Sequence, residues 1–119
     1  MPKDPKDGAL LAARVLEDKK GQDVVILDIS RISILADYFV IATGRSFIHV
    51  KALADEVEKK LTEEGFILRG KEGYDEARWV LLDFYDIIVH IFYSTDREYY
   101  MLEHLWADAP RLEPATQGG

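Results

Sequence analysis

ARWVLLDFYDIIVHIFYSTDREYYMLEHLW, residues Ala77–Trp106, is the stretch that decides the fold. Two apolar runs, Trp79–Leu82 and Ile87–Tyr93, flank the short break Asp83–Asp86, which is a β-hairpin pattern. Successive side chains of a strand point to opposite sides of a sheet, so a turn at Phe84-Tyr85 sorts the hairpin into two unlike faces. Val80, Leu82, Ile87, Val89 and Ile91 share one face, a purely aliphatic set fit for a helix-covered core. Trp79, Leu81, Asp83, Asp86, Ile88, His90 and Phe92 share the other. That mixture of apolar bulk, carboxylates and an imidazole suits a contact surface better than a core. A three-residue turn would shift the pairing and regroup both faces. Thr95-x-x-Glu98 then forms a capping box that opens a helix running to about Trp106.

Upstream, the spacing predicts a first helix from Asp7 or Gly8 to about Lys20, with Ala9, Ala12, Ala13 and Leu16 on one side. Strands follow at Asp23–Asp28 and Tyr38–Thr43, joined by an irregular connection over Ile29–Asp37. Val50, Leu53, Ala54, Val57 and Leu61 make one apolar stripe on a central helix capped by Ser46 and stopped at Gly65. Phe66–Leu68 reads as a short strand. A strand, a helix of about five turns and another strand form a right-handed parallel crossover. The expectation is an α/β domain over residues 1–109, a mixed sheet of four to five strands with helices mainly on one face. Pro110–Gly119, with two prolines and two glycines, reads as a disordered tail.

Composition narrows the chemistry. The chain has 119 residues, 48% of them hydrophobic, enough for one domain with a single core. It has no cysteine, so disulfides, thiolate metal sites and cysteine nucleophiles are excluded. No apolar run approaches the ~18–20 residues that cross a bilayer, and MPKDPKDG lacks a signal-peptide core, so no membrane and a cytoplasmic location are expected. The net charge of −7 opposes direct binding to RNA phosphates but would favour docking onto a basic protein.

Several groups invite a functional reading. Gly44-Arg45-Ser46 is a small-residue turn at a helix N-terminus, where backbone amides can hold an anion. A nucleotidyltransferase would also need paired acidic residues on a following strand to hold metal ions, and Asp55-Glu56 lie side by side within a helix instead. His49, His90 and His104 show no ligand spacing, so structural or surface roles are expected, with His90 hydrogen-bonded on the exposed sheet face. Asp83 and Asp86 bracket the hairpin turn, where aspartates bond nearby amides or meet cations of a partner. Trp79 alone would favour the core, because large aromatics bury the most surface.

RWVLLDFYDIIVHIF (Arg78–Phe92) followed by YYMLEHLW (Tyr99–Trp106) resembles the ribosomal silencing factors, the RsfS or Iojap family. GQDVVILDIS (Gly21–Ser30), ADYFVIATG with Ser46 one residue on (Ala36–Ser46), and HVKALADEV (His49–Val57) agree in order, so the resemblance runs from about Leu10 to Ala109. It implies a nucleotidyltransferase-like topology and a factor that makes or breaks no bond and needs no cofactor. Such factors bind the large ribosomal subunit through the basic ribosomal protein numbered fourteen. They block subunit joining there and so repress translation. It also implies that Trp79 faces the ribosome and that homodimers form; the hairpin face adds Leu81, Asp83, Asp86, Ile88 and His90 to the expected contact. One departure stands out: the family has glycine where this chain has Tyr85, and a two-residue primed turn wants positive φ there. An enzyme using Gly44–Ser46 and a module that only dimerises are the alternatives.

Overall fold

The structure, a computed structural model, describes residues 4–93 and 111–112. The first helix, α1, spans Pro5–Asp18 and starts earlier than expected. Asp4 caps it by accepting from the Lys6 amide at 2.9 Å, and Pro5 occupies the first turn, where its missing N–H is no loss. Strand β1 (Gln22–Asp28) carries an irregularity between Gln22 and Val25, where Asp23 has φ +51°. Strand β2 (Tyr38–Gly44) leads into α2 (Phe47–Glu63), capped by Ser46 as expected. Gly65, at φ +94°, closes α2 with two reversed bonds: Gly65 N–H to Thr62 O, and Phe66 N–H to Leu61 O.

That closure explains a missed strand. Phe66 spends its N–H on the helix end and packs against the main core, so residues 66–68 do not join the sheet. The strand here, β3, is Gly70–Glu72 instead. Then come β4 (Trp79–Asp83), β5 (Ile87–Tyr93) and the two-residue β6 (Arg111–Leu112). The sheet order is β3-β4-β5-β2-β1-β6, in which only β2 and β5 pair in parallel. Since β3 runs parallel to β2 with β5 and β4 between them, the α2 crossover skips two strand positions. Five strands make the body of this mixed sheet, and β6 adds a sixth at its edge. The expected tail from residue 110 is therefore corrected at Arg111–Leu112, which pair with Leu27 and Ile26 and cover the open edge of β1. The expected helix from Thr95 to Trp106 lies outside the described residues.

The hairpin turns one residue later than expected. Phe84 N–H donates to Ile87 O at 2.9 Å, which leaves Tyr85 and Asp86 in the loop, with Tyr85 at φ +72°. Pairs such as Leu81–His90 and Trp79–Phe92 are offset by two residues from the expected register. An offset of two preserves the face of every side chain, because strand alternation has period two. Val80, Leu82, Ile87, Val89 and Ile91 are accordingly buried on one face with the stripe Val50, Leu53, Ala54, Val57 and Leu61 of α2 and with Ala9, Ala12 and Leu16 of α1. Both helices thus cover the same side of the sheet.

Candidate functional site

The opposite side of the sheet has no described helix over it, and its chemistry changes from centre to edge. Registers across β1, β2, β5 and β4 bring Leu27, Phe39, Ile41, Ile88, His90, Phe92, Trp79, Leu81 and Asp83 to this face. Leu27, Ile41 and Phe92 are fully buried at its centre, together with Ile29 and Ala36 from the ends of the β1–β2 loop. Trp79, Leu81, Asp83 and Ile88 are half-buried along its β4–β5 side. The loop is held to the hairpin tip because the Asp86 carbonyl accepts from the Asp37 and Tyr38 amides, at 2.8 and 3.0 Å.

His90 is not on an exposed face, as expected from the sequence, but is 3% exposed. Rings from β2 and β4 pack against it, which a pattern of strand alternation cannot reveal. Phe39 meets the imidazole edge-on with ring centres 4.5 Å apart, and Phe92 stacks nearly parallel to it at 6.3 Å. Trp79 reaches diagonally across the hairpin, stacked on Phe92 at 5.3 Å, and its indole Nε1–H donates to His90 Nδ1 at 3.0 Å. Since Nδ1 accepts, the neutral ring carries its proton on Nε2, which is buried without a hydrogen-bond partner among the described residues. Burial with no compensating anion disfavours the imidazolium and pushes this histidine down to about 4.

The two aspartates part ways. Asp83 accepts from Arg69 Nε and Nη2 at 3.0 and 2.8 Å through one oxygen, and from the Tyr85 amide at 2.8 Å through the other. Arg69 also lies over the Tyr85 ring, 4.6 Å from its centre. Asp83 therefore braces the tip from within, the turn role aspartates commonly fill. Asp86 is exposed in the turn itself. Beside them stand residues that periodicity did not single out. Ile32, Ile34 and Leu35 are 49%, 101% and 76% exposed on the β1–β2 loop. The loop that carries them is tied to the hairpin tip by the bonds from Asp37 and Tyr38 to Asp86.

The catalytic alternative gains little from the geometry. Around Gly44-Arg45-Ser46, the Arg45 amide donates to His49 Nδ1 at 3.0 Å and the His49 amide to Ser46 Oγ at 3.0 Å, so two amides an anion would use are engaged. His49 Nε2 bonds the Lys19 carbonyl at 2.9 Å, tying this turn to the end of α1, a structural role. A Cβ on Gly44 would meet Val50 Cγ2 at 2.7 Å, so glycine here lets helix and strand approach. Asp55 accepts from the Tyr74 hydroxyl at 2.9 Å, and this bond holds Tyr74 above the usual phenol range. Among the described residues no group of three His, Asp or Glu is placed to hold a metal ion, and no helix is long and apolar enough to cross a membrane.

A family model described as "Ribosomal silencing factor during starvation" matches residues 2–118. The chain is 46% identical over 103 residues to a protein of Halalkalibacterium halodurans named ribosomal silencing factor RsfS, covering 87% of this chain and 88% of that one. It is 46% identical over 100 residues to the protein of the same name from Bacillus subtilis, covering 84% and 85%. A crystal structure of a Chromobacterium violaceum protein superposes with a TM-score of 0.85 at 38% identity, covering 95% of this chain and 93% of that one.

Proposed function

The chain belongs to the family of ribosomal silencing factors, and from that premise we propose that it represses translation by binding the large ribosomal subunit and blocking subunit joining. The contact is the half-buried side of the face over which no helix is described: Trp79, Leu81 and Ile88 at the centre, Asp83 and Asp86 at the rim, and His90 beneath. One observation carries this assignment. While α1 and α2 bury the other sheet face, a hydrogen-bonded tryptophan and two aliphatic residues stay half-buried here, and the loop tied to the hairpin tip exposes three more aliphatic side chains. An apolar centre with a charged rim is how small interfaces concentrate their energy. The partner is the basic ribosomal protein numbered fourteen, towards which a chain of charge −7 is drawn electrostatically. Little direct contact with RNA is involved, and the action is steric.

Co-sedimentation with isolated large subunits, followed by addition of small subunits, tests the proposal. The expected result is one copy bound per large subunit and fewer joined ribosomes, with both effects lost when the protein numbered fourteen is absent. Sedimentation only as a homodimer, with no large-subunit binding, would leave the face as a self-association surface and overturn the reading.

A further inference from the structure

We propose that His90 is a positioning residue: its Nδ1 fixes the Trp79 indole in the orientation that meets the partner. The inference rests on the contact surface assigned above and adds a second role within it. It starts from a polar group in a place where an aliphatic one would be expected. His90 lies on β5 between Val89 and Ile91, 3% exposed, with Phe39 against its edge and Phe92 parallel to it. Taking an imidazole out of water is unfavourable unless both ring nitrogens find partners. Here one does: Nδ1 accepts from Trp79 at 3.0 Å, and Nε2 has no partner among the described residues. A buried donor left without an acceptor costs more than one neutral bond returns. The histidine therefore lowers the stability of this strand, and packing does not explain it.

What the imidazole does contribute is direction. Trp79 pairs across the hairpin with Phe92, so its indole reaches His90 diagonally. The bond to Nδ1 fixes the direction of its Nε1 edge. Stacking on Phe92 (5.3 Å, 25°) and against His90 (5.8 Å, 32°) accompanies that bond. The imidazole itself packs edge-on against Phe39, with ring centres 4.5 Å apart. A side chain fixed before docking loses less freedom on docking, which strengthens binding without any added contact.

The test separates bond from bulk. His90→Phe keeps an aromatic ring but removes the acceptor, His90→Leu does the same with a smaller group, and His90→Asn returns an acceptor near the position of Nδ1. Three readouts are taken on each full-length variant: melting temperature, solvent exchange of the Trp79 indole N–H by NMR (assigned with Trp79→Phe), and affinity for isolated large subunits. The expected result for Phe or Leu is an unchanged or raised melting temperature. Indole exchange rises at least tenfold, affinity falls about tenfold, and Asn recovers part of both. Unchanged affinity with Phe and Leu, while Trp79→Ala abolishes binding, overturns the positioning role and leaves the contact surface standing. If Trp79→Ala also binds normally, the surface assignment itself fails. If both Phe and Leu variants fail to fold, His90 is a folding residue and the inference falls.

Discussion

Replacing Trp79 with alanine separates two readings that the sequence left opposed, an exposed anchor and a core residue. The structure leaves it half-buried, and the magnitude follows from what the side chain touches. The bond from Nε1 to His90 Nδ1 contributes about 0.5–1.5 kcal/mol, and its loss also leaves a buried acceptor unpaired. The stack on Phe92 at 5.3 Å contributes about 0.5–1.5 kcal/mol more. Because the ring is only half-buried, the cavity term is smaller than for a sealed core aromatic, whose truncation costs about 3–5 kcal/mol. The expected loss of folding stability is roughly 2–3 kcal/mol, or a fall of roughly 6–15 °C in melting temperature for a domain of this size.

Binding is expected to weaken by a further ~2 kcal/mol or more, a factor of about thirty, as for a central aromatic hot spot. Calorimetry gives the first quantity. Co-sedimentation with large subunits, well below the variant's melting temperature, gives the second. A variant that melts with its parent would refute the hydrogen bond and stack as solution contacts. One that melts early yet still keeps subunits apart would refute the interface.

Gly73 has φ +76°, and a Cβ there would stand 2.1 Å from the Trp79 carbonyl oxygen. Gly73→Ala is therefore expected to cost about 2 kcal/mol or more and to displace the start of β4, read as a lower denaturation midpoint together with weaker ribosome binding. Tyr85 at φ +72° predicts an order of tolerance in the hairpin turn. Tyr85→Gly should stay within about 1 kcal/mol of the parent, because relief of strain is offset by a freer unfolded chain. Tyr85→Val should lose about 1–2 kcal/mol, and equal urea midpoints for the two would contradict the turn geometry. His90 adds an acid-sensitive term. Its folded-state value of about 4 lies below the ordinary 6.5, so the unfolded chain binds its proton first and stability falls as pH drops from 6.5 towards 4, by about 3 kcal/mol at most. His90→Leu should flatten that part of the stability–pH curve, and a parallel curve would mean the imidazole is not buried in solution.

How far the sequence carries the fold depends on whether a feature repeats at a regular interval. The stripe Val50–Leu61 and the Ser46 cap are local and periodic, and both stand where the spacing places them. The two hairpin faces survive a wrong turn because a shift of two residues conserves alternation. Tyr85 marked the turn as unusual, and its positive φ shows how it is met: Asp83 accepts from its amide and Arg69 stacks on its ring. Residues 66–68 misled because an apolar triplet serves a helix closure as well as a strand. His90 misled for a different reason. Its burial comes with Phe39 of β2, more than fifty positions upstream, and with Trp79 across the hairpin, and no local pattern encodes those contacts.

Burial across this face is uneven, and the proposed contact lies on its β4–β5 side. Loop ends seal the centre over Leu27, Ile41 and Phe92, so those residues serve stability alone. At the hairpin Trp79, Leu81 and Ile88 are only half-buried. A fully covered hairpin would be more stable but would have nothing to offer a partner. A fully open one would leave the tryptophan free to change rotamer, and it would then lose that freedom on docking. His90 is the residue that reconciles the two demands, since it reaches the indole from the sealed side and spends its only satisfied nitrogen there. Functional sites are where local rules are broken, here the exclusion of unpaired polar atoms from a core, and this one is broken next to the proposed contact surface.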